Sequence, residues 1–221
     1  MEIRFEDVIR SAAPGLRVVA IEADVTNPET SDELWSLITR GAEDIHGVME
    51  MADINKRPGI RATRDAYKAL GKEPNRYRPS SEALCRRIVK GMELYRINTL
   101  VDLINLISFQ SGYSIGGFDL DKIEGDTLTL GVGRDGEPFE GIGRGVLNIA
   151  NMPVYRDNIG GVGTPTSDNE RTKLSTETTR LLMCINIYGE EMPIDDVVGL
   201  TSSLLERFAN ATNINVNIYQ P

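Results

Sequence analysis

The sequence predicts an α+β fold, because helical and strand patterns occupy different parts of the chain. Apolar residues recur at helical spacing through most of residues 31–112. Beyond Gly112 the pattern changes to short apolar strands separated by glycine turns. The chain then closes with a helix over residues 194–210 and the alternating strand NINVNIY. Helices early in a chain and strands late are typical of α+β proteins.

The first elements are a buried strand and an amphipathic helix. The β-branched run LRVVAIEADV, residues 16–25, is bounded by proline-containing turns and predicts a strand that begins the sheet. Residues 31–53 follow with helical spacing, and Ser31 is a suitable N-cap. This helix carries His46, the only histidine of the chain, which we interpret as a surface or packing residue.

Two basic helices follow. The first, IRATRDAYKALG, ends at a glycine, and a proline-containing link separates it from a second helix for which Ser80 is a good N-cap. We place a boundary near residue 75. Residues 1–75 would form an N-terminal strand and helices packed on a main domain of residues 76–221.

Positive charge is concentrated in one part of an acidic chain. The net charge is −9, yet residues 56–96 contain twelve Lys or Arg against four acidic residues. Such a band on an acidic body can bind phosphates locally, while the body repels nonspecific polyanions. The alternative is a pair of solvated helices whose cations pair with neighbouring acids. The sequence leaves both interpretations open.

Composition excludes several classes of protein. No apolar run approaches the length needed to cross a bilayer, and the N-terminus lacks the layout of a signal peptide, so we expect a cytoplasmic protein. Cys85 and Cys184 have no metal-ligand spacing and are expected to be buried, reduced thiols. A single histidine excludes histidine-rich zinc sites and most nucleophile–base triads. We therefore expect no metal and no cofactor, and the residues identify no catalytic group.

Three polar residues interrupt an otherwise apolar helix. Asn98, Asp102 and Asn105 are spaced four and three apart, which places them on one helical face. An unpaired buried polar group costs roughly 1–3 kcal/mol, so each must find partners. Either the fold supplies those partners or a ligand does.

The long segment IGGVGTPTSDNERTKLSTETT, residues 159–179, is a second candidate for binding. It is rich in hydroxyl groups and contains Asp168, Glu170 and Arg171 between two apolar strands. Long loops in compact domains are often binding loops, and simple mobility is an equally good interpretation. The glycines of GIGRG and GGVG are interpreted as turn glycines, because neither run follows a strand and opens a helix as a phosphate loop does.

An ordered series of motifs resembles a known family over roughly half of the chain, from about Ser81 to Tyr188. The strongest are INTLVDLIN at residues 97–105 and FDLDKIEG at residues 118–125. Weaker matches are Gly136-Glu137 and Asp157. Together they resemble the tRNA-editing domain that the third and fourth modules form in the bacterial phenylalanyl-tRNA synthetase beta subunit, in a free-standing form.

The resemblance implies a fold and a function. The fold would be α+β, with a β-sandwich-like core of short mixed strands flanked by helices and a cleft for an aminoacyl end. The partner would be tRNA or aminoacyl-tRNA, and the activity would be hydrolysis of a mischarged ester in trans. The alternative is a module that binds an amino-acid-like small molecule and has lost the editing chemistry.

The resemblance also assigns residues. Gly116 stands where the family has a histidine, two residues ahead of its Phe-Asp pair, so a water would have to be activated by tRNA hydroxyls, Asp168 or Glu170. The expected substrate-binding residues are Asn98, Asp102, Asn105, Gly116, Asp168, Glu170 and Arg171. The expected RNA-binding residues are Arg78, Arg86, Arg87 and Lys90.

Overall fold

The computed structural model describes all residues from Met1 to Pro221 and contains helices and strands in a mixed order. The α-helices are α1 (Asp7–Ala12), α2 (Asp32–Val48), α3 (Pro58–Ala69), α4 (Ser80–Val89), α5 (Thr99–Ser111) and α6 (Ile194–Ala209). The strands are β1 (Glu2–Phe5), β2 (Arg17–Asp24), β3 (Ser114–Asp119), β4 (Thr127–Val132), β5 (Glu140–Gly141), β6 (Gly145–Val146), β7 (Pro153–Arg156), β8 (Gly161–Gly163), β9 (Arg180–Ile187) and β10 (Thr212–Tyr219).

Two four-stranded sheets form a sandwich. The central sheet has the order β10-β2-β9-β3 and is antiparallel throughout. The second sheet has the order β1-β4-β7-β8 and is mixed, because β1 and β4 pair in parallel. Apolar side chains from both sheets meet in one core between them. The short strands β5 and β6 form a separate hairpin, and Gly141 of β5 also forms a single antiparallel bridge with Asn169.

The central sheet is covered on both faces, and the strand period of two explains how. On β2, Val18 and Ala20 point into the core between the sheets, whereas Val19 and Ile21 point to the opposite face. There they join a larger core with apolar residues of α2, α4, α5 and α6. The layers are therefore sheet, sheet and helices. The predicted α+β class with a sandwich core and flanking helices is confirmed.

Both parts of the predicted division contribute to the same sheets. β1 pairs with β4 in the second sheet, and β2 lies between β9 and β10 in the central one. Residues from both sides of position 75 also pack in the larger core. The proposed division near residue 75 stays a prediction. None of the helices combines the length and apolar character needed to span a membrane.

Some predicted elements differ in their bounds. α2 ends at Val48, not near residue 53, because residues 49–53 form turns that lead into a short 3-10 helix at Ile54–Lys56. The run VLNIANMPVY is strand only at its two ends, in β6 and in β7. The long segment after Asn158 contains β8 and a 3-10 turn at Glu170–Thr172, so it is more regular than a free loop.

Candidate functional site

A cleft opens between α5, β3 and the segment that follows β8. α5 packs against β3, which is the free edge of the central sheet. The cleft has a volume of about 410 Å³, within the range of roughly 300–1,000 Å³ common for small-molecule sites. Its lining residues are Ser80, Ile97, Val101, Ile104, Asn105, Ser108, Ile115, Gly117, Ile142, Ser167, Asp168, Lys173 and Leu174.

Two adjacent glycines of β3 face opposite sides of the sheet. A Cβ atom on Gly117 would lie 2.3 Å from Cδ1 of Ile104 and 3.0 Å from Cδ1 of Leu174, so this glycine makes room for those two side chains in the wall of the cleft. A Cβ atom on Gly116 would instead lie 2.6 Å from Cζ of Phe118, in the core between the sheets. Gly116 was expected to bind substrate. Because alternate strand residues point to opposite faces, Gly117 lines the cleft and Gly116 does not.

Asp168 lines the cleft, and its carboxyl group lies against the edge of β3. Its Oδ2 accepts a hydrogen bond of 3.1 Å from the backbone N–H of Gly117, and no protein donor contacts Oδ1. Its backbone is fixed by a bridge to Gly163 and by the N–H of Ile142, which donates to the carbonyl of Asp168. Burial raises the pKa of the Asp168 carboxyl to about 7, against the opposing effect of the Gly117 hydrogen bond. A carboxyl of this pKa can accept and release a proton near neutral pH.

Asn105 is the second polar side chain of the cleft. It lies halfway along α5, is half-buried, and makes no side-chain hydrogen bond within the chain. Its amide therefore has free donors and an acceptor at the opening of the cleft.

Asn98 and Asp102, by contrast, are bonded inside the fold. The Oδ1 of Asn98 caps α5 by accepting from the N–H of Val101 at 3.0 Å. The buried carboxylate of Asp102 accepts from the hydroxyl of Thr30 and from the N–H of Ile97. Neither side chain lines the cleft. The expectation that the three polar residues share one site must be corrected, because Asn98 and Asp102 fix the start of the helix and only Asn105 faces the opening.

Arg171 and Glu170 brace the segment that carries Asp168. Arg171 forms two hydrogen bonds of 2.8 and 2.9 Å with the carboxylate of Asp157 and a third with the carbonyl of Lys122. Glu170 forms an ion pair with Lys173. Burial raises the pKa of Asp157, but the bonds from Arg171 and from backbone amides outweigh it and hold that pKa below its usual value. Neither Arg171 nor Glu170 lines the cleft, so the structure places both of these expected substrate ligands outside it.

A basic groove adjoins the cleft. All four residues predicted to bind RNA line this groove, together with Arg144 from the turn between β5 and β6. The groove has a volume of about 490 Å³. It shares Ser80 and Asn105 with the cleft, so the two openings are adjacent. The groove residues are Arg78, Ser80, Ala83, Leu84, Arg86, Arg87, Lys90, Met92, Tyr95, Asn105, Arg144 and Thr166.

One buried carboxylate organises part of the positive charge. Glu82 is fully buried, and its oxygens lie 2.8 Å from Arg64, 2.8 Å from Arg86 and 3.6 Å from Arg78. Three guanidinium groups around a single carboxylate leave an excess of positive charge at the groove. Lys90 is exposed and forms no ion pair within the chain.

Comparison with known proteins decides the family. A family model described as the B3/4 domain matches residues 62–215, which is more than half of the chain. The chain belongs to the B3/4 domain family. This B3/4 domain is 36% identical over 89 residues to the phenylalanine–tRNA ligase beta subunit of Bartonella henselae, a match that covers 39% of the chain and 11% of the relative.

A solved structure is also similar to this B3/4 domain. An N-terminal fragment of the phenylalanyl-tRNA synthetase beta subunit from Pyrococcus horikoshii matches with a TM-score of 0.46 and 12% identity. The match covers 98% of the chain and 50% of the fragment. The chain thus spans about a tenth of the curated relative and half of the solved fragment.

Two residues of the B3/4 domain that line the groove were missed from the sequence. Arg144 lies within GIGRG, where the glycines were interpreted as turns and the arginine between them was passed over. Tyr95 is in the irregular link between α4 and α5, which has no periodic pattern to mark it. The arginine between the turn glycines of GIGRG was the one signal in the sequence that could have pointed to Arg144 as a groove residue. His46 lies elsewhere, with Nδ1 3.1 Å from the carbonyl of Ile88 and no place in the cleft.

Proposed function

We propose that this B3/4 domain binds aminoacyl-tRNA, with the aminoacyl end in the cleft and the adjoining RNA backbone in the groove. The observation that carries the proposal is that the two openings are adjacent and share Ser80 and Asn105. A ligand that is anionic along its backbone and ends in a small, partly apolar group matches this arrangement. The curated relative that matches part of the chain is the beta subunit of a phenylalanine–tRNA ligase, which supports tRNA as the partner.

The chemistry proposed for the cleft is hydrolysis of the aminoacyl ester. Asp168 would accept a proton from a water while the water oxygen forms a bond to the ester carbonyl carbon. The ester C–O bond would then break, and the proton would pass to the ribose oxygen that leaves. The products are the free amino acid and the uncharged tRNA, and together they contain all atoms of the ester and the water. A group with a pKa of about 7 is suited to both proton transfers.

Deacylation assays test the hydrolysis. A panel of mischarged tRNAs is incubated with the protein, and free amino acid is measured against buffer. We expect turnover of at least one ester, with a rate that rises with pH through about 7 as Asp168 ionises. Replacing a general base costs roughly 10²–10⁴-fold in rate, so Asp168→Asn should lose most of the activity.

Glu177→Gln is the matched control, because Glu177 is exposed, forms no ion pair and lies outside the cleft. It should keep the native rate. If no member of the panel is hydrolysed above buffer, the chemistry is wrong and only binding remains.

A second candidate function is binding of an amino-acid-like small molecule without hydrolysis. The cleft volume would suit such a ligand. The salt dependence of the binding constant K distinguishes tRNA binding from small-molecule binding. For tRNA, log K should fall by about 0.7–0.9 for each phosphate contact as log salt rises, whereas a small uncharged ligand should be nearly indifferent.

A further inference from the structure

Tyr95 presents an open aromatic face inside the basic groove. The residue is 68% exposed, although a tyrosine of this size is usually at least partly covered. It lies on the link between α4 and α5, and it lines the groove with Lys90, Arg144 and Asn105. No aromatic side chain of the protein stacks on it.

The other face of the ring is held by an arginine. The guanidinium carbon of Arg87 lies 4.1 Å from the centroid of the Tyr95 ring. Arg87 is itself fixed, because its Nε donates to the carbonyl of Glu93. The pair is therefore an arranged stack, in which a positive charge backs an aromatic ring whose second face is in solvent. Arg87 is one of the residues predicted to contact phosphate, and its guanidinium also covers one face of Tyr95.

The surroundings of this stack favour a nucleobase over an apolar partner. Arg78, Lys90 and Arg144 lie along the same groove and would hold the phosphates on either side of a base. Single-stranded nucleic acid sites combine such a positive groove with aromatic platforms on which bases stack. A paired base could not reach the ring, because its faces are already stacked in the helix.

We propose that Tyr95, backed by Arg87, is a stacking site for an unpaired base close to the aminoacyl end of the RNA. The inference rests on the proposed function, and it adds that the RNA is recognised through its single-stranded terminus. The site has no preference for one base, because every base has a π face.

The test measures binding of fluorescent RNA hairpins to the full chain. One hairpin carries a four-nucleotide single-stranded 3′ end, and a second has the same phosphates with abasic riboses in that end. The native protein should bind the first more tightly, by about 5- to 150-fold for each base that stacks. Tyr95→Ala should weaken the first hairpin by a similar factor and leave the second unchanged.

Conservative and distant variants complete the test. Tyr95→Phe keeps the ring and should retain native affinity, whereas Tyr95→Leu keeps apolar area and should behave like the alanine variant. Ile159→Ala removes an equally exposed apolar residue outside the groove and should have no effect.

The outcomes separate this inference from the function on which it rests. Equal binding of the two hairpins, with Arg78→Ala still weakening both, would overturn the stacking site and leave tRNA binding intact. Absence of binding to any hairpin and to tRNA would overturn both. A loss with Tyr95→Ala that is equal for the two hairpins would mean that the ring supports the groove rather than a base.

Discussion

At the scale of single residues, Asp168 is the group on which the proposed hydrolysis depends. Its carboxyl is placed by one backbone amide and by the absence of side chains on two neighbouring glycines. A Cβ on Gly163 would lie 2.7 Å from Oδ1 of Asp168, and one on Gly116 would lie 3.5 Å from it. The space that these glycines leave admits the carboxyl into a poorly solvated position, and burial raises its pKa.

The raised pKa has a consequence for stability that needs no substrate. An unfolded aspartate has a pKa of about 3.9, whereas burial holds that of folded Asp168 at about 7. Between these values the folded protein binds more protons than the unfolded chain, so this residue costs stability as pH rises. We expect the free energy of unfolding of the native protein to fall relative to Asp168→Asn between about pH 4 and pH 7.

Denaturant unfolding of the two proteins at several pH values measures this difference. The difference should be constant below about pH 4 and above about pH 7, since the group then has the same charge in both states. A difference that does not change across this window would show that Asp168 is ionised in the folded protein, and it would remove the general base from the proposed chemistry.

At the scale of elements, α5 divides its polar residues between structure and function. Asn98 and Asp102 belong to its first turns and satisfy backbone groups there, while Asn105 reaches the opening one turn later. Sequence periodicity predicted that these three polar residues share one face of the helix. It could not show that Asn98 is the N-cap, because the apolar pattern gives no sign of where within residues 97–100 the helix begins. The hydroxyl of Thr30, which holds Asp102, comes from a distant part of the chain.

Two matched substitutions in α5 test this division. Asn98→Ala removes the cap and should lower the free energy of unfolding by about 0.5–2 kcal/mol. Asn105→Ala removes an amide with no partner in the chain, so it should leave stability within about 0.5 kcal/mol of native and weaken aminoacyl-RNA binding. Thermal unfolding and binding of the same preparations measure both effects. Equal loss of stability in the two variants would mean that Asn105 also has a structural role.

At the scale of the whole molecule, the sequence predicted more of the fold than of the site. The α+β class, the first strand, the basic helices and the closing helix and strand follow from periodicity and turn residues, which are local signals. The cleft is made where α5, β3 and the segment around Asp168 meet, and contacts between distant segments leave no local pattern. Asp168 and Asn105 line the cleft and stay candidate ligands, whereas no local pattern in the sequence shows that Arg171 bonds to Asp157.

The charge distribution also acts at this scale. Positive residues of the band at 56–96 do not all lie on one surface, because Arg57 is bonded to Glu191 and Arg64 to Glu82 within the fold. Arg78, Arg86 and Lys90 reach the groove, and Arg144 joins them from a different segment. Part of the band is therefore paired within the fold, and phosphate binding by the residues at the groove stays a prediction. The acidic remainder of the molecule would restrict RNA to the groove by repulsion.

The most direct test of the central claim, that cleft and groove form one site, is the affinity for tRNAs with a stable amide-linked aminoacyl end, compared with uncharged tRNA. We expect the native protein to bind some charged forms more tightly, and Asn105→Ala to remove that advantage. We expect Arg78→Ala with Lys90→Ala to weaken charged and uncharged forms equally and to reduce the salt slope by about 0.7–0.9 per lost contact. Arg61→Ala with Lys68→Ala, on exposed α3 positions outside the groove, should change neither. Equal affinity of the native protein for every charged and uncharged form, with no effect of the groove variants, would contradict the account.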